Sequence, residues 1–228
     1  EMCIRDSNTG AYLIMKKGLF ISIEGSDGSG KSTQIENIKS FFQDKGIDII
    51  FTREPGGTQI GEKLRKIILD KELTEMCDMT EALLYAAARA QHVAQVIKPA
   101  LAEGKIVICD RFVDSSIAYQ GYGRGLGEPV KIINDYAIDG CMPDVTFLME
   151  MDPRVGRRRI KAEQQDRLER EQDDFHIRTF EGYMELEKLY PDRIVGIDAS
   201  RSIEEVKLDI YKKLEDVLKG VIGQVSGK

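Results

Sequence analysis

Gly25-Ser26-Asp27-Gly28-Ser29-Gly30-Lys31-Ser32 is the stretch whose reading decides the fold, because it joins Leu19-Phe20-Ile21-Ser22-Ile23 to a helical segment that opens at Lys31. The first run is apolar and partly β-branched, as a buried strand should be. A glycine, four intervening residues and then Gly-Lys-Ser make a phosphate loop when they lie between strand and helix. Glycines let backbone N–H groups turn inward around phosphate oxygens, and the helix N-terminus adds positive potential. Lys31 adds a full charge, and the Ser32 hydroxyl can ligate Mg²⁺. Gly25, Ser26, Asp27, Gly28, Ser29, Gly30, Lys31, Ser32 and Thr33 are therefore the candidate residues for holding a nucleoside triphosphate.

Outward from the loop, Ile47 to Thr52, Ile106 to Cys109, Val145 to Met149 and Ile194 to Ile197 repeat the strand signature. Each is separated from the next by helical sequence far longer than a hairpin turn, which implies right-handed crossovers and parallel strands. The expected architecture is a three-layer α/β fold of the P-loop NTPase type. Its five-stranded parallel sheet is flanked by helices and carries a small lid. Asp152 with Pro153 reads as a helix start, and Ser202 with Glu205 as a capping box. The longest helix is expected from about Thr80 to Ala102, with Pro99 kinking or shortening its end.

The chain has 228 residues, 42% hydrophobic and 32% charged, the size and balance of one ordinary domain. Its formal charge of −6 argues against broad nucleic-acid or anionic-membrane binding, so phosphate must be held by a local site. Cys3, Cys77, Cys109 and Cys141 lack the spacing of a zinc site or a disulfide scaffold, which points to a reducing cytoplasm. No apolar run approaches the roughly 18 to 20 residues that span a bilayer. Residues 1–14 are aperiodic and Met15 reads as the natural start. They are expected to form a non-native or disordered extension to a single domain at 15–228.

Two further segments follow predicted strands: Arg53-Glu54-Pro55-Gly56-Gly57-Thr58, and Asp110-Arg111-Phe112-Val113-Asp114-Ser115-Ser116-Ile117-Ala118-Tyr119-Gln120-Gly121. In a parallel sheet both stand on the rim that carries the phosphate loop, where ligands bind. The second segment, with Glu81-Ala82-Leu83-Leu84-Tyr85-Ala86-Ala87-Ala88-Arg89, closely resembles thymidylate kinases, and the likeness runs from Gly18 to about Leu218. A phosphate loop alone is shared by many families; these motifs in this order are specific.

The resemblance implies transfer of the ATP γ-phosphoryl group to dTMP, with Mg²⁺ as cofactor and a homodimer as the assembly. By similarity, Lys31, Arg111, Asp27 and Arg53 are the catalytic set on the phosphates, and Arg53 grips the dTMP phosphate. The plainer alternative for Arg53 is a salt bridge with Glu54. Arg111 bridges donor and acceptor phosphates, Asp110 holds Mg²⁺ through water together with Ser32, and Pro55 follows a cis bond in such proteins. Asp27 approaches the acceptor sugar and phosphate. Tyr85 stacks on thymine and Arg89, one turn later, donates to the base O4. Ser115, Ser116 and Gln120 flank the base, and Tyr119 crowds a ribose 2′-hydroxyl.

Residues 157–173 are expected to form the lid over ATP. Some relatives carry an arginine where Gly28 stands and others supply it from the lid; this chain follows the second pattern. Arg167 is the expected catalytic lid cation, with one of Arg157, Arg159 or Lys161, and Arg157 is counted among the ATP contacts. Ala199 and Ser200 border the adenine by similarity. His92 and His176 are assigned no chemistry. No Asn-Lys-x-Asp segment of the GTPase type occurs. Rival readings are another nucleoside monophosphate or deoxynucleoside kinase, or a regulatory or nucleic-acid-linked ATPase.

Overall fold

The computed structural model describes residues 2–5, 12–15, 18–159 and 165–223. Seven strands occur among them: β1 (Met2–Arg5), β2 (Tyr12–Met15), β3 (Leu19–Gly25), β4 (Ile49–Arg53), β5 (Ile106–Asp110), β6 (Val145–Glu150) and β7 (Ile194–Asp198). The last five form one sheet in the order β4-β5-β3-β6-β7, with every neighbouring pair parallel. The expected three-layer α/β fold is the one observed. β1 and β2 form an antiparallel pair apart from that sheet, in a stretch where the aperiodic sequence led to no strand being expected.

Helices cover both faces because the strands are apolar on both faces. On one side, Ile21, Ile23, Ile108, Phe147 and Met149 pack against Ile35, Ile38, Phe41 and Phe42 of α1 (Lys31–Asp44). Val206, Ile210 and Leu214 of α9 (Ile203–Gly223) complete that layer. On the other side, Phe20, Val107 and Cys109 meet Val93, Ile97 and Phe112, while Leu148 and Ile194 meet Phe175, Tyr183 and Leu186 of α8 (Asp173–Leu189). The same outer layer holds α2 (Gln59–Leu69), α3 (Asp78–His92), α4 (Lys98–Ala102), α5 (Val113–Ser116) and α6 (Glu128–Ile138). α7 (Pro153–Arg157) opens on Asp152, whose Oδ1 accepts the Arg154 N–H at 2.8 Å. The Ser202–Glu205 box also forms: Glu205 accepts from the Ser202 N–H, and Ser202 Oγ from the Glu205 N–H.

The long helix differs from expectation. α3 ends at His92, and a π-helical turn at Val93–Ile97 leads into α4, so the path from Asp78 to Ala102 is continuous but not uniformly α-helical. Pro99 has no N–H to give and its ring crowds the preceding turn; the wider π turn just before it absorbs both defects. The longest uninterrupted α-helix among the described residues is α9, at 21 residues. β4 starts at Ile49 rather than Ile47, yet Ile47 is buried in the core.

The chain path reverses at β3, the central strand, so the crevice beyond its carboxyl end opens between β5 and β6. Phe147 of β6 is fully buried beneath that crevice. Phe147→Ala is expected to cost about 3 to 5 kcal/mol in denaturant unfolding, from lost burial plus the cavity left behind. A loss below about 1 kcal/mol would show that the layer repacks around the gap.

Candidate active site

Gly25, Gly28 and Gly30 adopt φ of 138°, 77° and 89°, which is what lets the chain curl between β3 and α1. Lys31 Nζ donates back to the Gly25 and Ser26 carbonyls at 2.8 and 3.0 Å. Burial and the neighbouring Arg111 charge lower the Lys31 pKa to about 8. Ser26 and Ser29 hydroxyls are buried without a partner among the described residues, while Ser32 and Thr33 are exposed on the first turn of α1.

Gly28 is required for a second reason. A Cβ there would sit 2.1 Å from the Gly156 carbonyl oxygen of α7, and one on Gly156 would sit 2.5 Å from the Asp27 carbonyl oxygen. Two backbones meet at these glycines, leaving no room for a side chain. A side chain at position 28 is thereby excluded, while Arg159, just beyond α7, donates from Nη1 to the Gly28 carbonyl at 3.3 Å. Arg167, the sequence-expected candidate, is turned elsewhere. It donates to the Ile68 carbonyl at 2.9 Å and to Glu81 at 2.7 Å, on the far side of the crevice. Arg157 pairs with Asp173 and donates to the Glu171 carbonyl, bracing the lid's own base. Lys161 lies outside the described residues.

Arg111 leaves β5 with φ of 65°, a left-handed conformation unusual for a residue with a long side chain. Its own N–H is held by the Ile23 carbonyl at 2.9 Å. The guanidinium donates to Asp27 at 2.5 Å, to the Gly25 carbonyl at 3.0 Å, and to Ser115, Tyr119 and Tyr183 at 3.2 Å each. Burial alone would raise the Asp27 pKa; the charges of Arg111 and Lys31 overcome it and hold the carboxyl at about 2. Tyr119 donates to the other Asp27 oxygen at 2.8 Å. Asp110 Oδ1 is buried with no hydrogen-bond partner among the described residues, an open acceptor near Lys31 of the loop.

Beyond Arg111 lies a cavity of about 170 Å³, lined by Asp27, Arg53, Tyr85, Arg89, Ser115, Ser116, Tyr119 and Gln120 from the sequence reading. Glu54, Pro55, Arg65, Leu69, Phe112 and Asp166 complete much of its wall. Arg53 forks onto Glu62 at 2.8 and 3.0 Å rather than onto Glu54. Glu54 instead is fully enclosed with Arg89 at 2.8 Å and His92 at 2.9 Å. The Glu54–Pro55 bond is cis. Arg89, expected mainly to donate to a base, is itself buried. It also donates to Ser116 at 2.9 Å, to Asn134, and to the Phe112 carbonyl at 3.0 Å, which leaves an Nη2 hydrogen for the cavity. Gln120 donates to Glu81 at 2.9 Å, and Glu81 also receives Arg124 and Arg167. Burial raises the Tyr85 hydroxyl pKa, so the ring enters the cavity neutral.

Several groups in and around this cavity were not singled out from the sequence: Glu54, Glu81 and Arg65, whose Nη1 donates to the Pro55 carbonyl at 2.9 Å. Helical spacing offered a signal for Glu81, one turn before Tyr85 and on its face of α3; nothing local marked the rest. Ala199 and Ser200 follow β7 on the same sheet edge. Ser200 caps Asp198 with its N–H and hydroxyl, and Gln34 of α1 ties this loop to the phosphate loop by donating to the Ile203 carbonyl at 3.1 Å.

A phosphate loop on the central strand, sharing one arginine with a second pocket beside it, defines a P-loop phosphotransferase. The chain belongs to the thymidylate kinase family, whose model, described as Thymidylate kinase, matches residues 23–210. It is 48% identical over 208 residues to the thymidylate kinase of Geobacillus sp. (strain WCH70), covering 90% of this chain and 99% of that one. It is 50% identical over 207 residues to that of Halothermothrix orenii, covering 89% and 99%. A crystal structure of thymidylate kinase from Ehrlichia chaffeensis is similar with a TM-score of 0.71 and 34% identity, covering 87% of this chain and 98% of that one.

The depressed Lys31 pKa has a definite sign. Between about 8, its folded value, and the ordinary 10.5, the unfolded chain binds more protons, so this group makes stability rise with pH across that window. A bound triphosphate would add negative charge beside Lys31 and raise its pKa against the burial and Arg111 charge that lower it. ATP binding at about pH 9 is therefore expected to take up protons, read by calorimetry in buffers of different ionisation enthalpy. Lys31→Met should abolish that uptake; an unchanged uptake would assign the proton to another group.

Proposed function

We propose that the chain phosphorylates dTMP with ATP, giving dTDP and ADP for dTTP supply. The observation that carries this reading is Arg111, whose guanidinium touches the Gly25 carbonyl of the phosphate loop and also lines the neighbouring cavity. A cation placed so can contact both phosphate chains at once. A dTMP phosphate oxygen attacks the γ-phosphorus as the bond to the β–γ bridging oxygen breaks, and that oxygen leaves on ADP. The nucleophile is already anionic, so alignment, neutralisation and water exclusion do the work.

Lys31 and the loop N–H groups of residues 25–33 hold the donor phosphates in this reading, and Arg53 the acceptor phosphate. Tyr85 stacks on the base, with Arg89's remaining hydrogen, Ser116 and Gln120 along its edge, while Tyr119, pinned by Asp27, excludes a 2′-hydroxyl. Ser115 secures Arg111. Arg159 is the lid cation placed against the phosphate loop, and Arg167 secures the lid to Glu81; Arg157, Ala199 and Ser200 border the ATP. Mg²⁺ fits the donor set: the unpartnered Asp110 Oδ1 and the exposed Ser32 hydroxyl are hard oxygen groups suited to it. Bound there with ATP, it would neutralise phosphate charge.

In a coupled ADP-release assay across dTMP, dUMP, dCMP, UMP and AMP, dTMP is expected to give the highest kcat/KM. Arg111→Ala should lower kcat by at least about a hundredfold while ATP still binds, because the contact strengthens in the transition state. Preference for another acceptor would support the sister kinases. Hydrolysis without any acceptor, or stimulation by DNA, would support a regulatory ATPase.

The reading also carries a cytoplasmic setting, in keeping with the free thiols of Cys77, Cys109 and Cys141. No helix among the described residues is long and apolar enough to cross a membrane. A homodimer is supported by the adjoining helices α2, α3 and α6, which leave Ile60, Ile67, Leu83, Ile132 and Tyr136 exposed, Tyr136 by 83%. Light scattering should give twice the chain mass, and Leu83→Asp with Tyr136→Asp should give the monomer. A monomeric wild-type chain would remove the dimer from the reading.

A further inference from the structure

Glu24 is fully buried near the end of the central strand, next to the phosphate loop, and no step above uses it. A carboxylate is an expensive residue to enclose unless its acceptor capacity is filled. One oxygen accepts the Phe112 N–H at 2.6 Å. The other accepts the hydroxyls of Ser115, at 2.6 Å, and Tyr183, at 2.9 Å. These partners come from three different places: the turn after β5, helix α5 and helix α8.

What the partners have in common is Arg111. Ser115 and Tyr183 each stand 3.2 Å from its Nη1, and Phe112 is the residue that follows it. A hydroxyl has a single hydrogen; once that hydrogen is given to Glu24, only lone pairs remain to face the guanidinium. The Phe112 N–H bond holds the peptide immediately after Arg111, the residue forced to φ of 65°. Backbone conformation and side-chain aim of Arg111 are both secured by one carboxylate.

The geometry points to Glu24 as the positioning residue for Arg111: its carboxylate commits two hydroxyls as acceptors and pins the turn, so the guanidinium is held across the two phosphate sites. The role rests on Arg111 being the bridging cation. Burial, and then the Asp114 charge, push the Glu24 pKa up to about 7, while Arg111, Ser115 and Phe112 pull it down. Asp114 is itself held by Arg193 at 2.6 and 2.8 Å, which limits that repulsion. Lys31 lies close enough to sense Glu24.

The test compares steady-state kinetics of the full chain. Glu24→Gln keeps the shape, yet its amide donates where the carboxylate accepts, freeing the hydroxyls to rotate. Expected is a fall in kcat of about tenfold or more, with KM for dTMP and for ATP within about threefold of wild type. Tyr183→Phe removes one relay without touching Glu24 and should lower kcat in the same way; it carries the test if Glu24→Gln does not fold. In an Arg111→Lys background, Glu24→Gln should change kcat by less than about twofold, since both substitutions break one chain of contacts. Unchanged kcat in both Glu24→Gln and Tyr183→Phe, or an equal loss in the two backgrounds, would overturn the assignment. Wild-type enzyme inactive on dTMP would instead sink the acceptor reading and this role with it, whereas active wild type with an indifferent Glu24 sinks this role alone.

Discussion

The ion pair between Arg111 and Asp27 joins the turn after β5 to the phosphate loop after β3, and the rest of the site is arranged around it. Neighbouring strands of a parallel sheet bring their carboxyl ends to one rim, so two loops with unrelated sequences are pressed together. Each carries groups that burial penalises. Asp27 supplies the negative charge that lets Arg111 and Lys31 coexist before any phosphate arrives, and Tyr119 fixes that carboxylate from the acceptor side. Without Asp27, Lys31 and Arg111 would repel each other with only Asp110 and Glu24 nearby to offset their charge.

Where one feature of the sequence determines a local conformation, the fold was legible. Gly25, Gly28 and Gly30 each take a positive φ, and a phosphate loop between a strand and a helix follows from that spacing. The strands stood out because they are apolar on both faces, and the caps at Asp152 and Ser202 formed as their residue types suggest. The π turn at Val93–Ile97 was not legible, because it changes the hydrogen-bond register without changing the residue pattern. The β1–β2 pair escaped for a different reason: short runs in an aperiodic stretch give no periodicity to count.

In the site, cations were easier to find than their partners. Arg53, Arg89, Arg111 and Arg167 announce themselves by charge and motif, but an arginine's role depends on which carboxylate occupies its donors. Glu54, adjacent to Arg53 in the chain, serves Arg89 across the sheet edge, and Arg53 turns to Glu62 nine positions on. Glu81 gathers Arg124 and Arg167 from segments far along the chain. Such pairings are set by tertiary distance, which residue order does not encode. Of the expected cations of residues 157–173, Arg159 and Arg167 part for the same reason: the Gly28–Gly156 contact brings Arg159 to the phosphate loop and leaves Arg167 beside α3.

These pairings also say how the enclosed charges are tolerated. Buried ion pairs seldom repay their desolvation, so a fold that keeps Glu24, Glu54, Glu81 and Arg89 enclosed sacrifices stability that apolar side chains would return. These groups gather at one rim, while the sheet beneath is packed with Ile, Val and Phe. Each enclosed carboxylate holds a donor that faces the crevice or a helix that frames it. Rigid cations need no rearrangement when phosphate charge shifts during transfer, and a preorganised group stabilises that charge without the cost of reorganising solvent. The stability forgone at the rim and the fixed aim of Arg111 are therefore two consequences of the same buried carboxylates.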